Sequence, residues 1–221
     1  MYKKFVKRLL DITLSFFALT VLAIPLLLVA IMVYFDVGMP VIFKQKRIGY
    51  RNKEYALYKF RTMSDKRDSN GVYLPDDERI TKLGKLLRKL SIDELPSLIN
   101  IIKGEMSIIG PRPLPVRYLD RYTTEQLRRH EVLPGLSNVS AIKGRNLLTW
   151  EEKFEMDVWY VDNVSFITDV KILFGTFKVL FSKKGAVSDD GGARTEFLGT
   201  KTLEEVLASD DKNYVKINKD E

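Results

Sequence analysis

Two adjacent carboxylates, Asp93 and Glu94, are the residues in this sequence best suited to do chemistry. They follow an amphipathic basic segment, residues 80–90, and they precede an apolar run that ends at Gly104. An ionised carboxylate near several cations can attack a phosphorus atom, because the cations neutralise the charge that develops in the transition state. The pair is therefore a candidate site for chemistry on a phosphate.

A capping box is the alternative interpretation of the same stretch. Ser91 would be the N-cap and Glu94 would return a hydrogen bond three residues later, which would make Glu94 structural. Pro96 argues against that register, because a proline is favoured at the first helical position and clashes at the fifth. We therefore expect a helix from Pro96, with the acidic pair just ahead of it, where the helix end keeps Asp93 ionised and attracts phosphate.

Composition limits the chemistry to carboxylates, amines and guanidiniums. The 221 residues include one histidine, His130, and no cysteine, which excludes Cys/His metal sites and thiol nucleophiles. The net charge of +7 and a pI near 9.4 predict an anionic partner: nucleic acid, anionic lipid or a phosphorylated small molecule. Residues 188–221 contain nine acidic and five basic residues, so we expect an acidic, mobile C-terminal tail.

The N-terminal stretch, residues 1–37, predicts a membrane segment. Basic residues precede an apolar run from Leu9 to Phe35, which is too long for the apolar part of a signal peptide. A single transmembrane helix is one possibility. Pro25 near the middle and cations on both flanks favour instead a re-entrant helix-break-helix whose two ends lie on the cytoplasmic side.

Alternating apolar and polar residues between Val41 and Phe60 predict a β-hairpin. Its second strand carries Lys59 and leads to Arg61, two cations on one face beside the hydroxyl of Thr62. This group suits phosphate oxygens, and a solvated basic edge strand is the alternative.

A second candidate phosphate contact is Arg112, which stands between Pro111 and Pro113. The two prolines stiffen the backbone, so the arginine is either a fixed phosphate clamp or part of a rigid turn. The chain after Pro134 is expected to form a loop that ends in a basic turn at Arg145.

The C-terminal half is expected to be mostly helical. Residues 118–130 read as a charged helix in which His130 packs or forms a hydrogen bond, and residues 150–161 as a further helix. Residues 169–181 combine phenylalanines with lysines, which is typical of a helix lying in the plane of the lipid headgroups.

Together these motifs resemble the bacterial sugar transferase family, the monotopic phosphoglycosyl transferases. The resemblance is greatest to the small single-domain members that start N-linked glycan assembly. It rests on the basic start with its proline-broken membrane segment and on residues 59–65, 90–96, 110–113, 144–146 and 154–157. These follow the family's order from Met1 to about Gly199.

The resemblance implies a reaction and its location. A phosphosugar, from a UDP-sugar carrying an N-acetylated or diacetamido hexose, would be transferred to polyprenol (undecaprenyl) phosphate with release of UMP. The reaction would need Mg²⁺ and would take place at the cytoplasmic face of the bacterial inner membrane, with membrane lipid and downstream glycosyltransferases as further partners.

The resemblance also implies roles for individual residues. Asp93 would be the nucleophile and a ligand of Mg²⁺, with Glu94 beside it. Contacts to substrate phosphate or nucleotide would come from Lys59, Arg61, Arg88, Arg112 and Arg145, and support from Pro111, Pro113 and Asp157.

The expected fold is α/β and mainly helical, in three parts. A re-entrant membrane segment (1–37) precedes a catalytic domain (38–187) with a small β-hairpin and amphipathic interfacial helices, and the acidic tail (188–221) follows.

Two departures from the family pattern affect local structure and recognition. Ile24 replaces the usual serine before Pro25, and residues 137–143 differ from the usual Gly-(Trp or Leu)-Ala-Gln-Val-Asn run.

Two other functions are compatible with part of the sequence. A nucleic-acid binder would explain the high pI, but the membrane segment and the lack of an interleaved aromatic and basic platform speak against it. A catalytically idle membrane-surface scaffold for glycan assembly would explain the basic helices, and the acidic pair speaks against that.

Overall fold

The computed structural model describes residues 2–144, 148–181 and 196–199, and within them the chain is mainly helical with two small sheets. The α-helices are α1 (Lys7–Val21), α2 (Ala23–Val37), α3 (Asp76–Arg79), α4 (Lys82–Lys89), α5 (Leu98–Lys103), α6 (Thr124–Leu127), α7 (Val139–Lys143), α8 (Trp150–Asp162) and α9 (Phe166–Phe181). The strands are β1 (Ile42–Ile48), β2 (Glu54–Phe60), β3 (Ser107–Ile109) and β4 (Gly135–Ser137). Short 3-10 helices cover Tyr50–Asn52, Ile92–Ser97, Val116–Arg121 and Arg128–Glu131, and a π-helical turn, Tyr2–Val6, precedes α1.

The apolar N-terminal run forms two helices, α1 and α2, bent by 66°. The bend is at Leu22, three residues before Pro25. Pro25 is in the first turn of α2, where its missing N–H is no loss within that helix. Among the described residues no single helix is both long and apolar enough to cross a membrane, whereas the bent pair together meets both requirements.

The start of α1 is attached to the rest of the chain by two cations. Lys7 Nζ lies 2.6 Å from the carboxylate of Asp169 in α9. Arg8 donates to the main-chain oxygens of Ile101 and Ile102 at the end of α5, where cations stabilise exposed carbonyls. The first turn of α1 is therefore held against α5 and α9.

The end of α2 is attached to β2 and α4. Val33 is fully buried and packs in one cluster with Phe60 of β2 and Leu87 of α4. Just beyond the helix, the main-chain oxygen of Met39 accepts a 2.9 Å hydrogen bond from Arg61. Both ends of the bent helix pair therefore contact one body.

The predicted β-hairpin is confirmed. Strands β1 and β2 pair antiparallel, with Ile42 opposite Phe60 and Ile48 opposite Glu54. The connection turns through Tyr50–Asn52, whose backbone adopts positive φ at two non-glycine residues.

The predicted loop after Pro134 is wrong. Gly135–Ser137 is strand β4, which pairs in parallel with β3, and helix α7 follows it. Asn138 caps α7, since its side chain accepts a 2.8 Å hydrogen bond from the N–H of Ala141. Both strands are only three residues long, and their pairing depends on partners distant in sequence, so no local pattern shows it.

The predicted charged helix over residues 118–130 is also wrong in its continuity. The stretch forms a 3-10 helix, then α6, then a second 3-10 helix. Thr123 begins α6 with a capping box completed by Gln126, so a new helix starts in the middle of the stretch.

The acidic pair lies ahead of α5, as predicted, but inside a 3-10 helix, Ile92–Ser97. The predicted start of the α-helix at Pro96 is two residues early. The capping-box alternative is wrong, because Ser91 has a φ of 56° and its side chain makes no capping hydrogen bond. Gly104, with a φ of 89°, ends α5 as expected.

Candidate active site

Glu94 is held by two cations from different parts of the fold. Its Oε1 lies 2.7 Å from Lys59 Nζ, on β2, and 3.0 Å from Arg112 Nη2, in the turn after β3. Burial alone would raise the pKa of Glu94, but Arg112 and Lys59 outweigh it and lower that pKa to about 2. Glu94 is therefore ionised at neutral pH and paired with two cations.

Asp93 has a different environment from its neighbour. It is 7% exposed, and within the described part of the chain no donor binds its carboxylate. Burial, followed by repulsion from Glu94, raises the pKa of Asp93 against the opposing effect of Lys59, Arg88 and Arg112. The direction of this pKa shift is opposite to the one predicted from the helix end, because burial and the charge of Glu94 outweigh the three cations.

The main chain of Arg112 is held by a buried ion pair between Arg129 and Asp157, and Arg129 was not among the predicted site residues. Arg129 donates from Nη2 to the main-chain oxygen of Arg112 at 2.7 Å and to Asp157 at the same distance. Its Nε also reaches Asp157, at 3.1 Å. Asp157 thus lies behind the arginine's backbone, which fits the supporting role predicted for it and does not fit a direct phosphate contact.

Lys59, Glu94 and Arg112 line one cavity, which we call the donor cavity. Its other lining residues are Arg47, Leu57, Ser97, Met106, Pro113, Leu114, Pro115, Tyr118, Gly135, Leu136 and Trp150. These residues include three cations and one carboxylate, so the cavity carries a surplus of two positive charges. A concave site with this charge suits a diphosphate.

Arg47 is a site residue that sequence reasoning missed. Its Nη2 donates to Gln45 at 2.6 Å, while its buried Nε has no partner among the described residues. Burial and the charge of Arg112 lower the pKa of Arg47 to about 10. The signal was present in the strand alternation, since the β1–β2 register puts Arg47 and Lys59 on the same face of the hairpin.

Arg88 and Arg61, two further predicted phosphate contacts, have different environments. Arg88, on α4, donates from Nε to the hydroxyl of Thr62 at 3.0 Å and acts electrostatically on Asp93. Arg61 is 8% exposed and is used by the main-chain oxygens of Met39 and Met63 and by an ion pair with Asp65. The Arg61 side chain is therefore already engaged by other groups of the protein, and its predicted phosphate contact stays a prediction.

Three predicted site residues remain: Pro111 and Pro113, which flank Arg112, and the cation Arg145. The main-chain oxygen of Pro111 accepts a 2.8 Å hydrogen bond from Gly135, which joins the arginine turn to β4. Pro113 lines the donor cavity. Arg145 lies outside the described residues.

The carboxylates present at the site fit Mg²⁺. Among the described residues there is no group of three or more potential metal ligands. Mg²⁺ does not need one, because it is commonly bound through one or two protein carboxylates together with substrate phosphates and water. Asp93, which accepts no hydrogen bond from the described residues, would be the protein ligand of such an ion.

Comparison with known proteins decides the family. The sequence profile of the bacterial sugar transferases matches residues 2–183. The chain belongs to the bacterial sugar transferase family. It is a phosphoglycosyl transferase of glycan biosynthesis, and the family predicted from the motifs is confirmed.

The relatives of this transferase include proteins of two sizes. The uncharacterized sugar transferase EpsL of Bacillus subtilis (strain 168) is 49% identical over 194 residues, which cover 88% of this chain and 96% of EpsL. The UDP-N-acetylgalactosamine-undecaprenyl-phosphate N-acetylgalactosaminephosphotransferase of Aeromonas hydrophila is 34% identical, over 82% of this chain and 45% of that protein. The undecaprenyl-phosphate galactose phosphotransferase of Salmonella typhimurium is 34% identical, over 83% and 42%. The transferase therefore spans less than half the length of the latter two, and its finer resemblance to enzymes of N-linked glycan assembly stays a prediction.

Proposed function

We propose that this transferase moves a phosphosugar from a UDP-sugar to polyprenyl phosphate through a covalent intermediate on Asp93. The observation that carries the proposal is the unequal environment of the two carboxylates. Glu94 is clamped by Lys59 and Arg112, whereas Asp93 accepts no hydrogen bond from the described residues and lies within the field of the same cations. One carboxylate is thus fixed as support and the other is available to attack.

The reaction would take place in two balanced steps. First, an Asp93 oxygen bonds to the phosphorus that carries the sugar, and the bond from that phosphorus to the bridging oxygen breaks, so UMP leaves with that oxygen. Second, a phosphate oxygen of the polyprenyl phosphate bonds to the same phosphorus, and the bond to Asp93 breaks. The products are polyprenyl-diphospho-sugar and a regenerated carboxylate.

The donor cavity is lined by Glu94 and not by the adjacent Asp93, and its charge surplus supports the first step from beside the nucleophile. Lys59, Arg112 and Arg47 can neutralise the pyrophosphate oxygens while charge moves toward the departing UMP. Mg²⁺, when bound through Asp93, would supply further charge neutralisation at the pyrophosphate.

The names of the relatives support the proposed substrates. One is named for N-acetylgalactosamine phosphate transfer to undecaprenyl phosphate and another for galactose phosphate transfer to the same carrier. We propose an N-acetylated or diacetamido hexose as the sugar of the donor. The lipid-linked product would then be extended by downstream glycosyltransferases.

The proposed location is the cytoplasmic face of the bacterial inner membrane, with α1 and α2 inserted as a re-entrant pair. The apolar side chains of this pair are widely exposed, including Leu9, Phe16, Phe17, Ile24, Leu27 and Phe35. The start of α1 and the end of α2 both contact the catalytic domain, so an arrangement with its two ends on opposite faces would break one set of contacts. Membrane lipid is thus part of the environment in which the enzyme works.

A UMP-release assay tests the proposal. The detergent-solubilised enzyme is mixed with undecaprenyl phosphate, Mg²⁺ and each member of a UDP-sugar panel that includes N-acetylated, diacetamido and unmodified hexoses. We expect acceptor-dependent UMP release with an N-acetylated or diacetamido donor, its loss in Asp93→Asn, and its retention in Asp77→Asn, an exposed acidic residue on α3. Failure of every donor in the presence of acceptor would favour the scaffold alternative instead.

A further inference from the structure

Four residues of the C-terminal region, Glu196 to Gly199, pack against the catalytic domain. Phe197 is 2% exposed and lies inside a cluster of aromatic side chains. Its ring centroid is 4.8 Å from that of Phe154, 5.6 Å from Tyr118, and 5.7 Å from both Tyr122 and Trp150. This segment belongs to the stretch expected to be an acidic, mobile tail, and that expectation is wrong for these four residues.

Polar contacts fix the backbone of the same segment. The N–H of Phe197 donates to the hydroxyl of Tyr118 at 3.2 Å, and its carbonyl oxygen accepts from Arg121 Nη1 at 2.6 Å. Glu196 Oε1 lies 2.8 Å from Arg117 Nε and 2.9 Å from Arg121 Nη1. The main chain of Phe197, its ring and the carboxylate of Glu196 all have partners in the rest of the protein, so the segment has one defined position.

Phe197 contacts the donor cavity indirectly. Tyr118 and Trp150 both line that cavity together with Glu94 and Arg112, whereas Phe197 packs behind these two aromatic rings. Tyr118 is in the 3-10 helix before α6, and Trp150 is the first residue of α8. Phe197 therefore links two elements that supply the aromatic wall of the cavity.

We propose that Phe197 is a positioning residue that holds Tyr118 and Trp150 in place for binding of the nucleotide part of the donor. The proposal rests on the proposed function, since it assumes that the UDP-sugar binds in the donor cavity. The rings of Tyr118 and Trp150 stand nearly perpendicular, at 88°, so one of them can present its face to the base of a nucleoside diphosphate while the phosphates meet the cations of the cavity. Loss of the Phe197 ring leaves the cations in place and loosens the aromatic surface, formed by Tyr118 and Trp150, that the base contacts.

The kinetic test compares Phe197→Ala and Phe197→Leu with Leu198→Ala in the full-length enzyme. Leu198 is next in the chain, is partly buried and is not in the aromatic cluster, so it controls for disturbance of the segment itself. We expect Phe197→Ala to raise the KM for the UDP-sugar about tenfold, the ratio expected from losing one or two aromatic contacts. Phe197→Leu should recover part of this loss, and kcat and the KM for undecaprenyl phosphate should stay within about twofold.

A binding measurement separates the positioning role from general folding damage. In a Trp159→Phe background, Trp150 is the one remaining tryptophan, so its emission reports on the wall directly. We expect Phe197→Ala to shift this emission to longer wavelength and to weaken UDP binding about tenfold, while Leu198→Ala changes neither.

The outcomes distinguish this inference from the proposed function. If the wild-type enzyme binds UDP and releases UMP but Phe197→Ala has the same KM and the same UDP affinity, Phe197 is not a positioning residue and the proposed function stands. If Phe197→Ala lowers kcat and also lowers kcat/KM for both the UDP-sugar and undecaprenyl phosphate by the same factor, Phe197 is merely structural and the inference is overturned. If the wild-type enzyme neither binds UDP nor releases UMP, the proposed function fails first.

Discussion

Lys7 Nζ lies 2.6 Å from the carboxylate of Asp169, although the two residues are 162 positions apart in the sequence. The same carboxylate accepts hydrogen bonds from the hydroxyls of Tyr2 and Tyr160, each at 2.6 Å. The start of α1 is thus fixed to α9, and α9 packs through Ile172 into the core cluster that contains Ile109 and Tyr160. A fixed start and a fixed end of the bent helix pair place strong limits on its topology.

We expect both ends of the membrane segment to be accessible from the same side of the membrane. The chain has no cysteine, so Lys3→Cys and Lys53→Cys each introduce a single label site at an exposed position. A membrane-impermeant maleimide should modify both variants in inverted vesicles and neither in intact cells. Modification from opposite sides would establish a spanning helix and end the re-entrant interpretation.

Pro25 gives a second view of the same topology. In a straight helix the N–H of residue 25 would donate to the carbonyl of residue 21, across the bend at Leu22, and proline cannot make that bond. Pro25→Leu should therefore allow a fraction of molecules to straighten and span, whereas Leu26→Ala should not. The measurement is the fraction of the Lys3→Cys label that becomes accessible from outside intact cells.

The second prediction concerns Arg112. Arg112→Ala should lower turnover about thirtyfold to a thousandfold, equivalent to about 2–4 kcal/mol of transition-state stabilisation, if the guanidinium acts as an electrostatic donor. Arg112→Lys should restore little, because an ammonium cannot reproduce the planar fork. Arg128→Ala, which removes an ion-paired arginine outside the donor cavity, is the control. Near-normal turnover in Arg112→Ala would reduce this residue to part of a rigid turn.

The third prediction separates stability from activity behind Arg112. Asp157→Ala leaves the buried guanidinium of Arg129 unpaired and should lower the free energy of unfolding by about 3–5 kcal/mol. A double variant, Arg129→Met with Asp157→Leu, should recover most of that stability, since it removes both charges. Turnover should stay low in the double variant, because the main-chain oxygen of Arg112 loses its donor. Full recovery of turnover would show that the ion pair matters only for folding.

These residues also show what the sequence could and could not predict. The β-hairpin, the break before Pro25 and the position of the acidic pair ahead of α5 depend on patterns within about twenty residues, and each is found in the structure. Arg129 and Phe197 were missed because their roles come from partners distant in the chain, whereas the alternation of β1 already places Arg47 on the face of Lys59. Arg129 lies in a stretch so rich in charge that it reads as solvent-exposed, yet its side chain is almost fully buried.

The fourth prediction is a pH dependence of stability caused by His130. This residue is 6% exposed, its ring packs against Tyr122, and within the described residues neither ring nitrogen has a hydrogen-bond partner. Burial, with a smaller effect of Arg129, lowers the pKa of His130 to about 3. The unfolded chain takes up a proton near pH 6.5 and the folded chain does not, so stability should fall as the pH drops from 6.5 toward 3.

The size of this effect can be measured against a variant without the imidazole. Between pH 7 and pH 5 the His130 contribution to the free energy of unfolding should fall by about 2 kcal/mol, at 1.36 kcal/mol for each pH unit below 6.5. The drop should be absent from His130→Leu, whatever the stability of that variant at pH 7. Urea unfolding at the two pH values gives both slopes, and parallel slopes would show that His130 is protonated in the folded protein.

The last prediction assigns the covalent step to Asp93 and not to Glu94. The two carboxylates are adjacent in a 3-10 helix, so they point in different directions and cannot both attack one phosphorus in line. Glu94 would have to leave Lys59 and Arg112 in order to attack, whereas Asp93 breaks no contact with the described residues.

Enzyme incubated with labelled UDP-sugar and no acceptor should release UMP and keep the phosphosugar on the peptide that contains Asp93. Glu94→Gln should still form this adduct, more slowly, and Asp93→Asn should not. Initial rates with both substrates varied should follow a ping-pong pattern, because UMP leaves before the polyprenyl phosphate reacts. An adduct on Glu94, or sequential kinetics with no adduct, would overturn the assignment.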